Sequence, residues 1–124
     1  MAKIKHIALW KFKEGTAPEK IDMVGLSPGG DYVVLGIAQT REWDGSDSLL
    51  LAVQAKWKSC LAFAADGQLR RMYPQYAHLP WRILLTCQTE PDDRTKSFVL
   101  RADSVTRAEG GAFLIHRMGQ PFPA

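Results

Sequence analysis

The chain has 124 residues, 46% of them hydrophobic and 23% charged. That length holds one domain with a small core, and it excludes a full dinucleotide-binding enzyme, a barrel of eight β/α units or a kinase. Sixteen Lys and Arg against thirteen Asp and Glu leave a net charge of +3, well short of the basic stripe of a nucleic-acid binder, and the apolar content argues against general disorder.

Residues 3–13 alternate, with Ile4, His6, Ala8, Trp10 and Phe12 on one side and Ile7 and Leu9 among lysines on the other. A period of two with aromatic and β-branched residues predicts a strand. Its better core face carries Trp10 and Phe12, with His6 in the middle. Thr16 and Glu19 form a capping box, which predicts a helix from Ala17. Gly25 and the Ser27-Pro28-Gly29-Gly30 run stop it. Tyr32 to Ala38 reads as a short strand, weakened by Gly36. Leu50, Val53, Trp57, Cys60, Leu61 and Ala64 repeat at helical spacing and predict a helix over 49–65, with Gln54 and Lys58 off the buried stripe. Asp66-Gly67 is its stop. Residues 72–80 are irregular. Trp81 to Gln88 reads as a strand. Thr89 is a candidate cap for a helix entering through Glu90 to Asp93 and running to about Arg101 or slightly beyond. Ala112 to Met118 reads as a last strand, and residues 119–124 as a tail.

The order β-α-β-α-β-α-β over one domain, 1–124, predicts an α+β fold of the ferredoxin-like type, a small mostly antiparallel sheet with helices on one face. Cys60 and Cys87 belong to no metal-binding or redox motif and are expected as buried free thiols. Lys11 and Lys13 interrupt the apolar run that a secretory leader requires. No apolar stretch reaches the roughly 18 residues of a membrane span. A cytoplasmic chain with no membrane partner is the expectation.

Three residues are candidates for chemistry. His6 lies on the lined face of a sheet, where a neutral imidazole can act as a general base. Tyr76 and His78 stand two apart, which on a strand would put a hydroxyl and an imidazole on one face. In a turn before Pro80 they would have no joint role. His6, His78 and His116 are widely separated, so no metal is expected. Neither a Gly-rich dinucleotide loop nor a P-loop is present, so no cofactor is expected.

The opening, Lys5-His6-Ile7, Trp10-Lys11-Phe12-Lys13 and Thr16 to Ile21, resembles the stress-responsive A/B barrel (Dabb) family. The later run Gln75-Tyr76-Ala77-His78, Ile83 to Thr86 and Glu90 to Arg94 is loosely similar to that family's order. Its H-P-x-H motif has no counterpart, because no histidine lies between His78 and His116. The resemblance implies a dimeric α+β barrel in which two sheets pack face to face, here through the side of the first strand that carries Ile7 and Leu9. It implies a homodimeric ligand-binding or structural module, with a small apolar or aromatic ligand and no nucleic acid. The alternative it implies is a cofactor-free polyketide cyclase with His6 as base. A second alternative comes from composition. All eight arginines lie at Arg41 or later, while five of the eight lysines lie at or before Lys20. A mis-spliced or frame-shifted chain without activity would show such a shift.

Overall fold

The computed structural model describes residues 23–39, 43 and 45–123. The expected first strand with His6, Trp10 and Phe12, and the capping box at Thr16, lie outside the described residues.

Strand β1 (Met23–Leu26) pairs antiparallel with β2 (Val33–Gln39). The region where a helix was expected to end is therefore a strand. The loop between the two strands explains why. The Ser27 hydroxyl accepts hydrogen bonds from the backbone N–H groups of Asp31 and Tyr32, at 2.9 and 3.2 Å. Ser27 N–H in turn donates to the Tyr32 carbonyl at 2.9 Å. The side chain thus closes a hairpin that aligns Leu26 with Val33. Gly30 takes the left-handed φ of 76° that this turn needs. Gly36 sits opposite Met23, and a Cβ there would stand 2.9 Å from the methionine Cε. The glycine is therefore the seat for Met23 rather than a weak point in β2.

Two crossovers follow. Helix α1 (Asp47–Ala65), a short α2 (Gln68–Met72) and a 3₁₀ turn (Pro74–Tyr76) lead to β3 (Trp81–Cys87), and α3 (Asp93–Ala108) leads to β4 (Phe113–Arg117). The strand order is β1-β2-β3-β4, with β2/β3 and β3/β4 parallel. The described residues form a small α+β fold with a mixed four-stranded sheet. It corrects the expectation of a mostly antiparallel one: each long helix here returns the chain to the same end of the sheet, and that makes consecutive strands parallel.

Both long helices pack on one face. Val33, Leu35, Ile37, Ile83, Leu85, Cys87 and Phe113 join the same core cluster as Val53, Trp57 and Cys60 of α1 and Phe98, Val99 and Ala102 of α3. Ser46 caps α1, accepting from Leu49 N–H at 3.3 Å. Gly67 follows its end with φ 87°, at the stop expected from Asp66-Gly67. The buried stripe is Leu49, Val53, Trp57, Cys60 and Phe63. It is rotated slightly from the expected one, so Leu50, Leu61 and Ala64 are half-buried at its margin and Lys58 is exposed. Gln54 is also half-buried. Asp92, rather than Thr89, caps α3 by accepting from Thr95 N–H at 2.8 Å. The helix continues past Arg101 to Ala108. Its extra turns carry Thr106, which takes the Trp57 indole N–H at 2.9 Å and donates its own proton to the Ala102 carbonyl at 2.7 Å.

Around that bond Trp57 meets Phe98 edge-on at 5.6 Å and stacks on Phe113 at 6.2 Å. Trp57→Ala is expected to cost about 3–5 kcal/mol by removing a large buried aromatic. Thr106→Val keeps the shape but strands a buried indole N–H, an expected loss of about 1–3 kcal/mol. Urea unfolding checks both, and a valine variant as stable as the wild type would remove the bond from the account.

Candidate functional site

The second face of the sheet has its own, smaller apolar cluster. Tyr32, Val34 and Leu84 are buried there, with Leu114 and Phe122 packed against them. Among the described residues no long helix covers this face. The C-terminal segment does part of the work. After Arg117 the chain turns at Gly119 (φ 85°) and runs back over the sheet. The Tyr32 hydroxyl donates to the Pro123 carbonyl at 2.6 Å. His116 holds the near end: its Nε2 lies 3.0 Å from the Gln120 carbonyl and its Nδ1 lies 3.2 Å from Thr86 Oγ1. A carbonyl only accepts, so Nε2–H donates to it, while Nδ1 pairs with the Thr86 hydroxyl. The imidazole also meets the Phe122 ring at 4.6 Å between centroids.

Between this tail and the β1–β2 hairpin lies a cleft of about 630 Å³, with Ser27, Pro28, Asp31, Tyr32, Pro80, Arg82, Phe122 and the flanking prolines 121 and 123 on its walls. Arg82 stands over the Tyr32 ring, its guanidinium carbon 4.1 Å from the centroid, a cation–π contact that fixes a long side chain. Burial pushes the Tyr32 hydroxyl above the ordinary tyrosine range, and the positive charge of Arg82 partly opposes that rise. A Cβ on Gly29 would stand 3.0 Å from Asp31 Oδ2, so the carboxylate lies over its own turn. The Ser27 hydroxyl is engaged by the two N–H groups of the hairpin. The cleft thus offers two aromatic faces, several proline rings and one positioned cation.

Tyr76 and His78 are not on a strand. Tyr76 ends the 3₁₀ turn, half-buried against the helix-side core, its ring stacked on Tyr73 at 6.3 Å. His78 is exposed in the turn before Pro80. The prolines at 74 and 80 bracket a stretch with no free N–H at either end, which favours a turn over a ladder. Neither residue lines the cleft. The two thiols, Cys60 and Cys87, are buried and free, as expected. Burial pushes the Cys87 thiol up to about 11, only partly offset by the charge of Arg117, so it is protonated and poorly nucleophilic at neutral pH. Near it on the surface, Lys96 and Arg117 share Glu90 and hold its carboxyl below the usual range. Among the described residues no three His, Cys, Asp or Glu side chains gather as metal ligands, and no helix is long and apolar enough to cross a membrane.

Sequence reasoning missed Tyr32, Arg82 and Phe122. The available signal was the proline clustering, with Pro80 just before a strand and Pro121 and Pro123 in the tail.

These features define a small α+β domain with helices on one sheet face and a tail-walled cleft on the other. A family model matches residues 16–118, and the chain belongs to that family, a family of unknown function (DUF6572). This corrects the resemblance of the opening to the stress-responsive A/B barrel family. No curated protein and no solved structure matches the chain.

The tail is held by few bonds, and Tyr32 makes one of them. Tyr32→Phe is expected to lower stability by about 0.5–1.5 kcal/mol and to speed removal of the last residues by carboxypeptidase. Unchanged trimming would mean that the bond to Pro123 does not hold the tail.

Proposed function

We propose that this protein is a ligand-binding module for a small apolar or aromatic molecule, with the Tyr32–Phe122 cleft as its site. The supporting observation is the cleft itself: about 630 Å³, within the size range of small-molecule sites, with aromatic walls and few polar groups. Two of its polar groups hold the protein itself: the Ser27 hydroxyl holds the hairpin, and the Tyr32 hydroxyl serves Pro123. That favours binding over proton transfer, since an acid–base catalyst needs a group in reach of the substrate. The cyclase alternative depends on His6, which lies outside the described residues. One family model running from 16 to 118 supports reading the chain as a single in-frame domain.

The test is a fluorescence titration of the full chain with phenylnaphthylamine, a neutral aromatic probe that brightens in apolar sites. Saturable binding, weakened about tenfold by Phe122→Ala through loss of an aromatic contact, is the expected result. Non-saturable brightening, or affinity indifferent to Phe122→Ala, would overturn the reading.

The same reading keeps a homodimer. An apolar groove of about 320 Å³ lies along α3 and β4, the last strand in the order of the described residues, bounded by Val99, Leu100, Phe113, Leu114 and Ile115, and Leu100 is 72% exposed. Apolar surface of this kind favours self-association. Sedimentation at micromolar concentration is expected to give twice the chain mass, and Leu100→Lys to shift it toward monomer. A wild-type monomer would remove the dimer.

A further inference from the structure

The segment that crosses the second sheet face has its shape set by covalent chemistry. Residues 120–123 read Gln-Pro-Phe-Pro and belong to no helix or strand. Ring closure holds φ of Pro121 and Pro123 at about −65°. Each proline also bars the residue before it, Gln120 and Phe122, from helical backbone. All four are thereby confined to extended, polyproline-type backbone, which repeats about every three residues. The carbonyls of Gln120 and Pro123 are one such turn apart, and both are held by side chains of the fold. His116 Nε2–H donates to the first at 3.0 Å and the Tyr32 hydroxyl to the second at 2.6 Å. Between them the Phe122 ring packs on the Tyr32, Val34 and Leu84 cluster and meets the His116 ring at 4.6 Å. An aromatic-lined groove is how proteins hold proline-rich peptides. Here two donors one turn apart, with an apolar seat between them, add a register to it.

We infer that this face is a docking groove for an extended segment of a partner protein, with a proline on each side of an aromatic residue, and that residues 120–123 fill it as a displaceable stand-in. The partner's carbonyls take the His116 and Tyr32 donors, and its aromatic ring takes the seat of Phe122. The tail is lightly held for a permanent cover. Its nitrogens at 121 and 123 carry no proton to join a ladder. The cleft beside it, about 630 Å³ with Pro28 and Pro80 on its walls, leaves surface that a longer segment covers and the tail does not. The tail of a second copy gains nothing by comparison. It makes the same contacts, and only after opening the turn in which Gln120 N–H donates to the Arg117 carbonyl at 3.0 Å. This groove lies beneath the tail, whereas the small-molecule site lies beside it, so the inference goes beyond the ligand-binding reading above.

A tethered segment competes at high local concentration, so the apparent affinity for a free peptide falls with the fraction of open grooves. The probe is fluorescein-labelled Gln-Pro-Phe-Pro-Ala, followed by anisotropy. It is titrated into the full chain and into full chains carrying Phe122→Ala, or Pro121→Ala with Pro123→Ala, each checked for cooperative melting. Phe122→Ala empties the aromatic seat and is expected to tighten the peptide about tenfold. The proline pair keeps every contacting side chain and loosens the tail through backbone freedom. It is expected to tighten the peptide about threefold, and it carries the test if Phe122→Ala does not fold. Adding Tyr32→Phe to either loosened chain removes one donor and should weaken the peptide about fivefold. Phenylnaphthylamine on the same Phe122→Ala chain is expected to move the other way, toward weaker binding, so the two readings fail separately. No saturable binding to either loosened chain, or equal binding of a peptide with alanine in place of its phenylalanine and prolines, would overturn the groove. A wild-type dimer that the peptide converts to monomer would overturn the partner protein in favour of a second copy's tail.

Discussion

The Trp57 indole N–H and the Thr106 hydroxyl meet where the two crossover helices pack side by side. Because Thr106 passes its own proton to Ala102, the indole has a partner without leaving a second buried polar group unmatched. The rings of Phe98 and Phe113 close around the pair, so α1, α3 and β4 share one aromatic knot. Both helices are drawn to that knot and pack on one face of the sheet. The other face, with Tyr32, Val34 and Leu84, has to be covered by something else.

Among the described residues that cover is the tail, and the candidate site follows from how it is built. A helix laid on the second face would fill it along its length. A short segment pinned at Gln120 and Pro123 covers only part of it and leaves a cleft beside the β1–β2 hairpin. The walls are prolines and aromatic rings because those residues make a turn or a tail stiff without needing a ladder of hydrogen bonds. The chemistry is correspondingly simple. The Ser27 and Tyr32 hydroxyls hold the protein's own backbone, and Arg82 lies over the Tyr32 ring.

The resemblance at the N-terminus shows how far a local pattern carries. A strand of alternating apolar and basic residues followed by a capped helix is a common solution to starting a small domain, and about twenty residues of it do not separate one family from another. The family match over residues 16–118 draws on the segments that follow, where the parallel pairing of β2, β3 and β4 arises from two helical crossovers.

Much of the scaffold was legible in the chain. The strands at 33–39, 81–87 and 113–117 and the long helix at 47–65 announce themselves through β-branched runs and a helical repeat, because burial imposes those periods on the sequence directly. Boundaries set by capping were less legible: Asp92 displaced Thr89, and β1 replaced a helix end, since each depended on which hydrogen bonds the folded neighbours made available. The cleft was not legible at all. Tyr32, Arg82 and Phe122 are separated by up to ninety residues, and no spacing rule links them. Sequence by itself determined which segments could bury a face. Only the tertiary structure decided which face took the helices and which residues came to line the cleft on the other, because that depends on how helices and tail divide the two sides of one sheet.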